Sequence, residues 1–336
     1  MVLLREGICP GATAQLIQAL RDQNILTVVQ LASADIEDLA QKSSISYKTL
    51  VAVRRVLFVQ YSPFPSTGTD FYEELLASTA ILSTGNQSLD TLLDSGLYTG
   101  ELIEFVGAPG SGKTQVCLSL AVNIACELKQ RVRYIDSTGG LCASRLLHLI
   151  QEQVNSLEGQ SKALQRIEVA RVFEVYHLLD ALQDLRTSFT GQVTSACSSV
   201  KAVVIDSVSA VLSSLLGGHQ LEGMSLMMQL ARELKMMARE LNVAVIVTNS
   251  VVQDPGGRGV KPALGRSWSY VPNVRVLLQR GTGGDGLQPA KRTATILKSS
   301  RQPTRRSTEF DITSCGTLTN RTTSSQHSAG DLDNTD

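Results

Sequence analysis

The chain has 336 residues, 43% hydrophobic and 18% charged, the composition of a globular protein long enough for one sizeable α/β domain and a small accessory domain. Its 31 Lys and Arg balance its 31 Asp and Glu, so net charge alone indicates no partner. Its six cysteines form no CxxC pair or cluster with histidine, and it has neither a signal-peptide pattern nor an apolar stretch of about 18 residues, so we expect a soluble intracellular protein without a zinc site, a disulfide framework or a membrane partner.

A small helical domain is predicted over residues 1–60. Leu16 and Leu20 are spaced as on one face of a helix, and similar apolar patterns continue to about residue 59, with Ser33 as the expected N-cap of the helix that follows it. The Cys-Pro-Gly turn at 9–11 resembles the start of helix-hairpin-helix bundles that contact the DNA backbone. The sequence therefore leaves two functions open for this domain, DNA binding and partner docking.

The pattern changes after this domain. Residues 61–80 begin with a stretch that carries two prolines and a glycine, which favours a linker. Over 81–315, short β-branched runs alternate with helical stretches and then give way to consecutive strands. This order predicts an α/β domain with a mainly parallel, doubly wound sheet and antiparallel edge strands. Residues 316–336 are rich in Ser and Thr and are expected to be disordered.

Residues 107–114 match the phosphate-binding pattern GxxxxGK[ST] between a strand-like run and a helical stretch. The glycines let backbone N–H groups point at phosphate oxygens, and the following helix adds the positive end of its dipole. Lys113 would reach the β- and γ-phosphates and Thr114 would ligate Mg²⁺. We therefore expect ATP and Mg²⁺ as cofactors, with the phosphates held by Gly107, Ala108, Pro109, Gly110, Ser111, Gly112, Lys113 and Thr114.

A second part of this site is expected at Asp206. The apolar run 202–205 ends in this carboxylate about ninety residues after the P-loop, with two βα units between them. In P-loop NTPases such a carboxylate lies beside Mg²⁺, here through a water molecule. Lys113 and Asp206 are therefore the leading candidates for catalytic roles.

Several blocks resemble the RecA-like recombinase family, and together they are specific to it. They lie at 84–93, 96–101, 205–210 and 247–249, and Gln115 follows the P-loop as in that family. The segments 263–269 and 298–304 are most similar to the D-type paralogues of the eukaryotic recombinase. The resemblance covers nearly the whole chain and implies a RecA-like P-loop ATPase core after a small helical domain.

The resemblance also implies how ATP would be bound and hydrolysed. The segment 134–141 resembles a block that carries the family's catalytic Glu, but Thr138 stands at that position. Threonine cannot act as a base at neutral pH, so ATP hydrolysis should be slow unless Asp136 or a neighbouring subunit substitutes. Arg145 matches a position that stacks on adenine, and Pro303 matches the segment that caps the nucleotide of the adjoining subunit.

DNA contacts are expected in the second of two loops that face DNA in this family, at about 251–272. Between Ser250 and Arg306 there are eleven Lys or Arg and two Asp, which is either a polyanion-binding region or an ordinary basic surface. Arg258, Lys261 and Arg266 are the candidate phosphate contacts. Trp268 is expected either to stack on an unpaired base or to pack in the core.

The partners implied are single-stranded or branched DNA and other RecA-like paralogues. The self-polymerising recombinase carries a Phe-x-x-Ala segment, whereas Phe64 here begins Phe-Pro-Ser-Thr, so a long homo-filament is not expected. We predict a weak, DNA-stimulated ATPase subunit of a paralogue complex that supports strand-exchange filament assembly in the nucleus. A non-catalytic, nucleotide-gated adaptor is the alternative, and a P-loop kinase is disfavoured because no substrate lid is evident.

Overall fold

The computed structural model describes residues 4–43, 45–61, 65, 67–191, 200–216, 220–254, 259–281 and 290–319. The chain divides into two units, Met1–Ala77 and Ser78–Asp336. Within the described residues, no helix is both long enough and apolar enough to cross a membrane.

Short helices form the first unit around an aliphatic core. They are α1 (Ala14–Asp22), α2 (Val28–Ser33), α3 (Ile36–Lys42), α4 (Tyr47–Tyr61) and α5 (Gly68–Ser78). Leu20, Leu31 and Leu50 are completely buried in this core. The first four helices contribute to it, whereas α5 buries none of its side chains.

Side-chain caps set the helix boundaries in this unit. Thr27 and Gln30 form a capping box at the start of α2, in which each side chain accepts a hydrogen bond from the other residue's backbone N–H. Ser33 ends α2, and Asp35 caps α3 by accepting a hydrogen bond from the Glu37 N–H at 2.9 Å. The prediction of Ser33 as an N-cap was wrong because Asp35 satisfies the free N–H groups of α3.

A nine-stranded sheet organises the second unit, and a short pair β1 (Ile81–Leu82) and β2 (Leu97–Tyr98) precedes it. The strands of the large sheet are β3 (Leu102–Gly107), β4 (Arg131–Asp136), β5 (Ile167–Arg171), β6 (Val200–Asp206), β7 (Ala244–Asn249), β10 (Val274–Arg280), β11 (Ala290–Lys298), β12 (Ser307–Thr313) and β13 (Gly316–Thr319). Their order is β13-β12-β11-β10-β3-β7-β6-β4-β5. The six strands from β10 to β5 run parallel, and β11, β12 and β13 extend one edge in antiparallel pairing.

Helices cover both faces of this sheet. They are α6 (Gln87–Leu92), α7 (Lys113–Cys126), α8 (Ala143–Gln153), α9 (Leu157–Arg166), α10 (Val175–Gly191), α11 (Val208–Leu216), α12 (Gln220–Leu241) and α13 (Gly265–Ser269). Alternate residues of β6 enter opposite cores: Val204 packs with α7, and Val203 packs with α11 and α12. A small hairpin, β8 (Val251–Gln253) with β9 (Val260–Pro262), follows β7.

This architecture confirms the predicted α/β class, with its mainly parallel sheet and antiparallel edge. Two predicted segment types need correction. The region 61–80 contains α5, because Thr67 accepts the Asp70 N–H at 3.1 Å and so starts a helix soon after the prolines. The predicted disordered tail begins too early, because β13 pairs with β12 through Thr319; the remainder, 320–336, lies outside the described residues.

Candidate nucleotide site and its surroundings

The loop 107–112 lies between β3 and α7, at the carboxyl end of the parallel strands. β3 is buried along its whole length, which fixes the start of the loop. α7 begins at Lys113, and its N-cap Gly112 provides no side-chain hydrogen bond. The first N–H groups of α7 are thus available to an anion, as in other phosphate sites at helix N-termini.

Two glycines of this loop have no room for a side chain. A Cβ on Gly107 would lie 2.3 Å from Ser111 Oγ and 2.5 Å from Leu278 O. Gly112 has a φ of +103°, and its Cβ would lie 2.3 Å from Ile312 Cδ1. Close packing and a left-handed backbone therefore both require glycine here.

Lys113 and Ser111 each have a polar side-chain atom at the loop. Lys113 Nζ donates hydrogen bonds to the carbonyls of Gly107 at 2.7 Å and Ala108 at 3.1 Å. Burial lowers the pKa of Lys113, while the nearby Asp206 charge acts in the opposite direction. Ser111 Oγ is buried and has no hydrogen-bond partner among the described residues. A phosphate oxygen would supply acceptors for both groups, so the loop fits a nucleotide phosphate.

Asp206 is held at the centre of the site. Its Oδ2 accepts hydrogen bonds from Thr114 Oγ1 at 2.6 Å and Tyr134 Oη at 3.2 Å, and its Oδ1 accepts one from Thr248 Oγ1 at 2.5 Å. The structure thus brings Thr114 and Asp206 together, as the sequence led us to expect. An oxygen pair of this kind, a hydroxyl and a carboxylate, suits Mg²⁺.

Sequence reasoning missed Tyr134 and Thr248 as parts of this site. Both are fully buried, and they lie on strands that flank β6. Burial raises the pKa of Tyr134 well above its usual value, and the charges of Cys117 and Asp206 raise it further, so the phenol stays a donor to Asp206. The signal for Thr248 was a Thr near the end of an apolar run, and it becomes informative only once the strand order is known.

Asp136 has a different role from the one expected. It is 1% exposed, and its carboxylate accepts hydrogen bonds from the N–H groups of Thr138, Gly139 and Leu141 and from the Thr138 hydroxyl. These bonds shape the loop after β4 and leave Thr138 exposed. A buried carboxylate that is already engaged by four donors is a poor general base, so the expectation that Asp136 replaces the missing Glu needs correction.

Trp268 is part of the core, which was one of the two roles predicted for it, and the alternative of base stacking is wrong. The side chain is completely buried, and its Nε1–H donates to Glu104 Oε1 at 2.8 Å. The same oxygen accepts from Asn249 Nδ2 at 2.8 Å, and Arg275 pairs with Oε2. Glu104 lies in the middle of β3, so this buried network ties α13 and β10 to the P-loop strand.

The other candidate DNA residues lie in different surroundings. Lys261 and Arg266 are exposed, on β9 and α13, and Lys261 Nζ lies 3.7 Å from Asp254 Oδ1. Arg258 lies outside the described residues. The basic segment does not form a single face, because Arg275 is buried beside Glu104 and Arg301 forms an ion pair with Glu101 at 3.0 Å.

Arg145 and Pro303 lie at opposite ends of the sheet, and Arg145 is the one at the P-loop end. Arg145 donates to Gln115 Oε1 at 3.1 Å and to the carbonyls of Thr313 and Ser314 in the β12–β13 turn. Pro303 is exposed between β11 and β12. Arg301 holds that segment in place, since its guanidinium binds both oxygens of Glu101 and lies 3.5 Å from the centre of the Tyr98 ring.

Family models cover almost the whole chain. A model described as the RAD51D N-terminal domain matches residues 1–60, and one described as Rad51 matches residues 77–319. The second match spans all nine strands of the large sheet and both halves of the candidate site.

Individual relatives agree with these models. The chain is 56% identical over 317 residues to mouse DNA repair protein RAD51 homolog 4, covering 94% of this chain and 96% of the relative. The bovine protein of the same name is 55% identical, and the match covers 94% of this chain and 97% of the relative. The DNA repair and recombination protein RadA of Aeropyrum pernix is 27% identical, and the match covers 91% of this chain and 94% of the relative. With its P-loop, its Thr114–Asp206 pair and these matches, the chain belongs to the Rad51 family of RecA-like recombinases.

Proposed function

We propose that the chain is an ATP-binding, DNA-stimulated ATPase subunit of a recombinase-paralogue complex. In this proposal it binds single-stranded or branched DNA and supports strand-exchange filament assembly during homologous recombination repair of DNA breaks in the nucleus. The observation that carries the proposal is the Thr114–Asp206 hydrogen bond beside a P-loop with an unpartnered Ser111 hydroxyl. The repair proteins named among its relatives support the cellular role.

The nucleotide would be held by residues 107–114. Backbone N–H groups of the loop and the start of α7 would bind phosphate oxygens, and Lys113 would exchange its two carbonyl partners for the β- and γ-phosphates. Thr114 would ligate Mg²⁺ directly and Asp206 would hold it through water. When bound, Mg²⁺ neutralises charge that develops on the transferred phosphate. Arg145 is proposed to stack on adenine and Pro303 to cap the nucleotide of a neighbouring subunit.

Slow hydrolysis follows from the chemistry of the loop after β4. Thr138 has no group that can accept a proton from water at neutral pH, and Asp136 is buried and engaged. A base supplied by a neighbouring subunit would complete the site. This gap favours one alternative, a non-catalytic adaptor whose bound nucleotide only stabilises contacts between subunits.

DNA binding is assigned to exposed cations after β7. Lys261 and Arg266 are proposed to contact phosphates, and Arg258 is proposed to join them. Such contacts would be independent of base sequence, because they neutralise the backbone and release counterions. Trp268 has no part in this binding.

The proposed partners are other RecA-like paralogues. Helix α5 exposes four large apolar side chains, Phe71, Tyr72, Leu75 and Leu76, between 43% and 65%. An apolar surface of this kind on a single helix is typical of a protein-binding element. Phe64, which begins the segment that lacks the alanine of the self-polymerising recombinase, lies outside the described residues. A long homo-filament stays a disfavoured prediction.

One experiment separates the two candidate functions. The chain is purified with its co-purifying paralogues, and phosphate release is followed with and without single-stranded DNA. Stimulation that is lost in Lys113→Ala supports the ATPase, while nucleotide binding without DNA-dependent release supports the adaptor. Lys113→Arg keeps the charge and is the matched control; unchanged ATP affinity in Lys113→Ala would contradict the P-loop assignment itself.

A further inference from the structure

A groove with a cavity volume of about 810 Å³ lies between α12 and α13. It is separate from the nucleotide site, because no residue of 107–114 lines it. Its wall on α12 is one face of that helix, from Met224 to Arg239, and its other wall runs from Arg266 to Val271. A cavity of this size can take several side chains of a bound segment.

The floor of the groove is apolar and accessible. Met224 and Met228 are 46% and 44% exposed, and Tyr270 on the opposite wall is 66% exposed. Together with Met236, the groove holds three of the six methionines of the chain. Methionine is flexible and polarizable, so a surface rich in it adapts to apolar side chains of different shape.

The rim of the groove is positively charged. The four cations that line it, all exposed, are Arg232, Lys235, Arg239 and Arg266, and none of its lining residues is acidic. Lys235 Nζ also reaches the Tyr270 carbonyl at 3.4 Å and so bridges the two walls.

Two acidic residues of α12 are engaged by another helix and not by this rim. Glu233 and Glu240 both form ion pairs with Arg186 of α10. The charge of Lys235 also acts on the nearby Lys298. Burial is the main cause that lowers the pKa of Lys298, and the charges of Arg275 and Lys235 lower it further. Among the described residues the rim cations form no ion pair, so the groove combines available positive charge with an exposed apolar floor.

We propose that this groove binds an acidic, amphipathic segment of a partner protein. Apolar side chains of the segment would cover Met224, Met228 and Tyr270. Flanking Asp or Glu residues would pair with the rim cations of α12, which are Arg232, Lys235 and Arg239. An amphipathic helix that lays its apolar face in a groove meets both requirements. A nucleic acid backbone satisfies only one, because phosphates would pair with the cations and leave the methionines in water.

The test uses the full chain and a phage-displayed library of random peptides about 16 residues long, which is four to five helical turns. Peptides are selected on the natural chain and depleted on Lys235→Glu/Arg239→Glu. We expect the surviving peptides to carry Asp or Glu around Leu, Met or Phe at helical spacing. A synthetic copy of such a peptide should bind the double variant about tenfold more weakly or worse, by loss of the charge pairs.

Matched variants locate the binding. Met224→Ser/Met228→Ser should weaken the peptide about fivefold or more through the apolar floor, whereas Lys129→Glu/Lys162→Glu, at exposed positions outside the groove, should leave the affinity within about twofold. Thermal melting confirms that each variant is folded.

Three outcomes would overturn the proposal. One is the absence of peptides that depend on Lys235 and Arg239. Another is that a thymidine oligonucleotide, not a peptide, loses affinity in that double variant. The third is that a chain ending at Thr319 binds the peptide about tenfold more tightly, because the chain's own acidic residues 331–336 would then be the occupant.

Discussion

Thr248 donates its hydroxyl to Asp206 at 2.5 Å, across the neighbouring strands β7 and β6. Asp206 accepts a second hydroxyl, that of Thr114 in the P-loop, on its other oxygen. The carboxylate is thus oriented from both sides by hydroxyl groups of the chain itself. We expect Thr248 to act through Asp206, as a positioning residue of the candidate site.

Thr248→Val should disturb Mg²⁺-dependent ATP binding. Valine has nearly the same shape but no donor, so a buried carboxylate oxygen loses its partner, at a cost of about 1–3 kcal/mol in the free energy of unfolding. We also expect ATP binding to require more Mg²⁺, because Asp206 is no longer held in place. Titration of ATP affinity against Mg²⁺ measures this, with Thr248→Ser as the control that retains the hydroxyl; an unchanged Mg²⁺ requirement would refute the positioning role.

Thr138→Glu should raise phosphate release in the partner-bound complex without altering nucleotide affinity much. The position is exposed, so the larger side chain meets no packing barrier, and its carboxylate could activate water. Thr138→Gln has the same length without the charge and should give no gain. Equal rates for both variants would mean that the base comes from elsewhere or that the site is not assembled.

Trp268→Ala should lower stability and leave the salt dependence of DNA binding unchanged. Removing a large buried aromatic side chain costs about 3–5 kcal/mol in the free energy of unfolding. Trp268→Phe keeps most of the packing but removes the donor to Glu104, for about 1–3 kcal/mol. Chemical denaturation ranks the three proteins; a DNA defect in Trp268→Phe at full stability would restore the stacking hypothesis.

Replacing Arg258, Lys261 and Arg266 together with Ala should weaken single-stranded DNA binding equally for all sequences. Each lost phosphate contact reduces counterion release, so the slope of log affinity against log salt should become shallower by up to about three units. Lys129→Ala/Lys162→Ala removes exposed charge elsewhere and should change neither quantity. If the triple variant keeps its DNA affinity and its salt dependence, the DNA site is to be sought in the N-terminal unit instead.

Cys142 should be alkylated at lower pH than an ordinary thiol. A hydrogen bond with Ser144 at 2.9 Å is the main cause that lowers the pKa of Cys142, and backbone N–H groups at the start of α8 add to it. Because the thiolate is the reactive form, Ser144→Ala should raise the pKa and slow alkylation by iodoacetamide at neutral pH. Mass spectrometry of the Cys142 peptide between about pH 6 and pH 9 gives the comparison, and identical pH profiles would exclude the hydrogen bond as the cause.

The part of the site that is local in sequence could be predicted, and the part that depends on strand order could not. Gly107 to Thr114 are contiguous, and their pattern directly reflects what a phosphate requires. Asp206 could also be predicted, because it is the carboxylate that ends an apolar run after the P-loop. Thr248 and Tyr134 reach Asp206 only because β7 and β4 flank β6, an order that periodicity does not contain.

Trp268 shows a second limit of sequence reasoning. An aromatic residue among cations suits either a DNA-facing loop or a core, and charge counting cannot separate them. The deciding signal was Glu104, a carboxylate within the apolar strand Leu102–Gly107. Such a buried charge requires donors from elsewhere in the chain, and Trp268, Asn249 and Arg275 supply them.

The hydrogen bonds of Arg145 bear on how an adenine could be received. Its hydrogen bonds to Gln115, Thr313 and Ser314 are made by N–H groups at the edge of the guanidinium. Stacking uses the flat faces of the same group, so the tether and a stacked base do not compete. A side chain fixed in this way has already lost its rotamer freedom, and a base that stacks on it avoids most of that entropic cost.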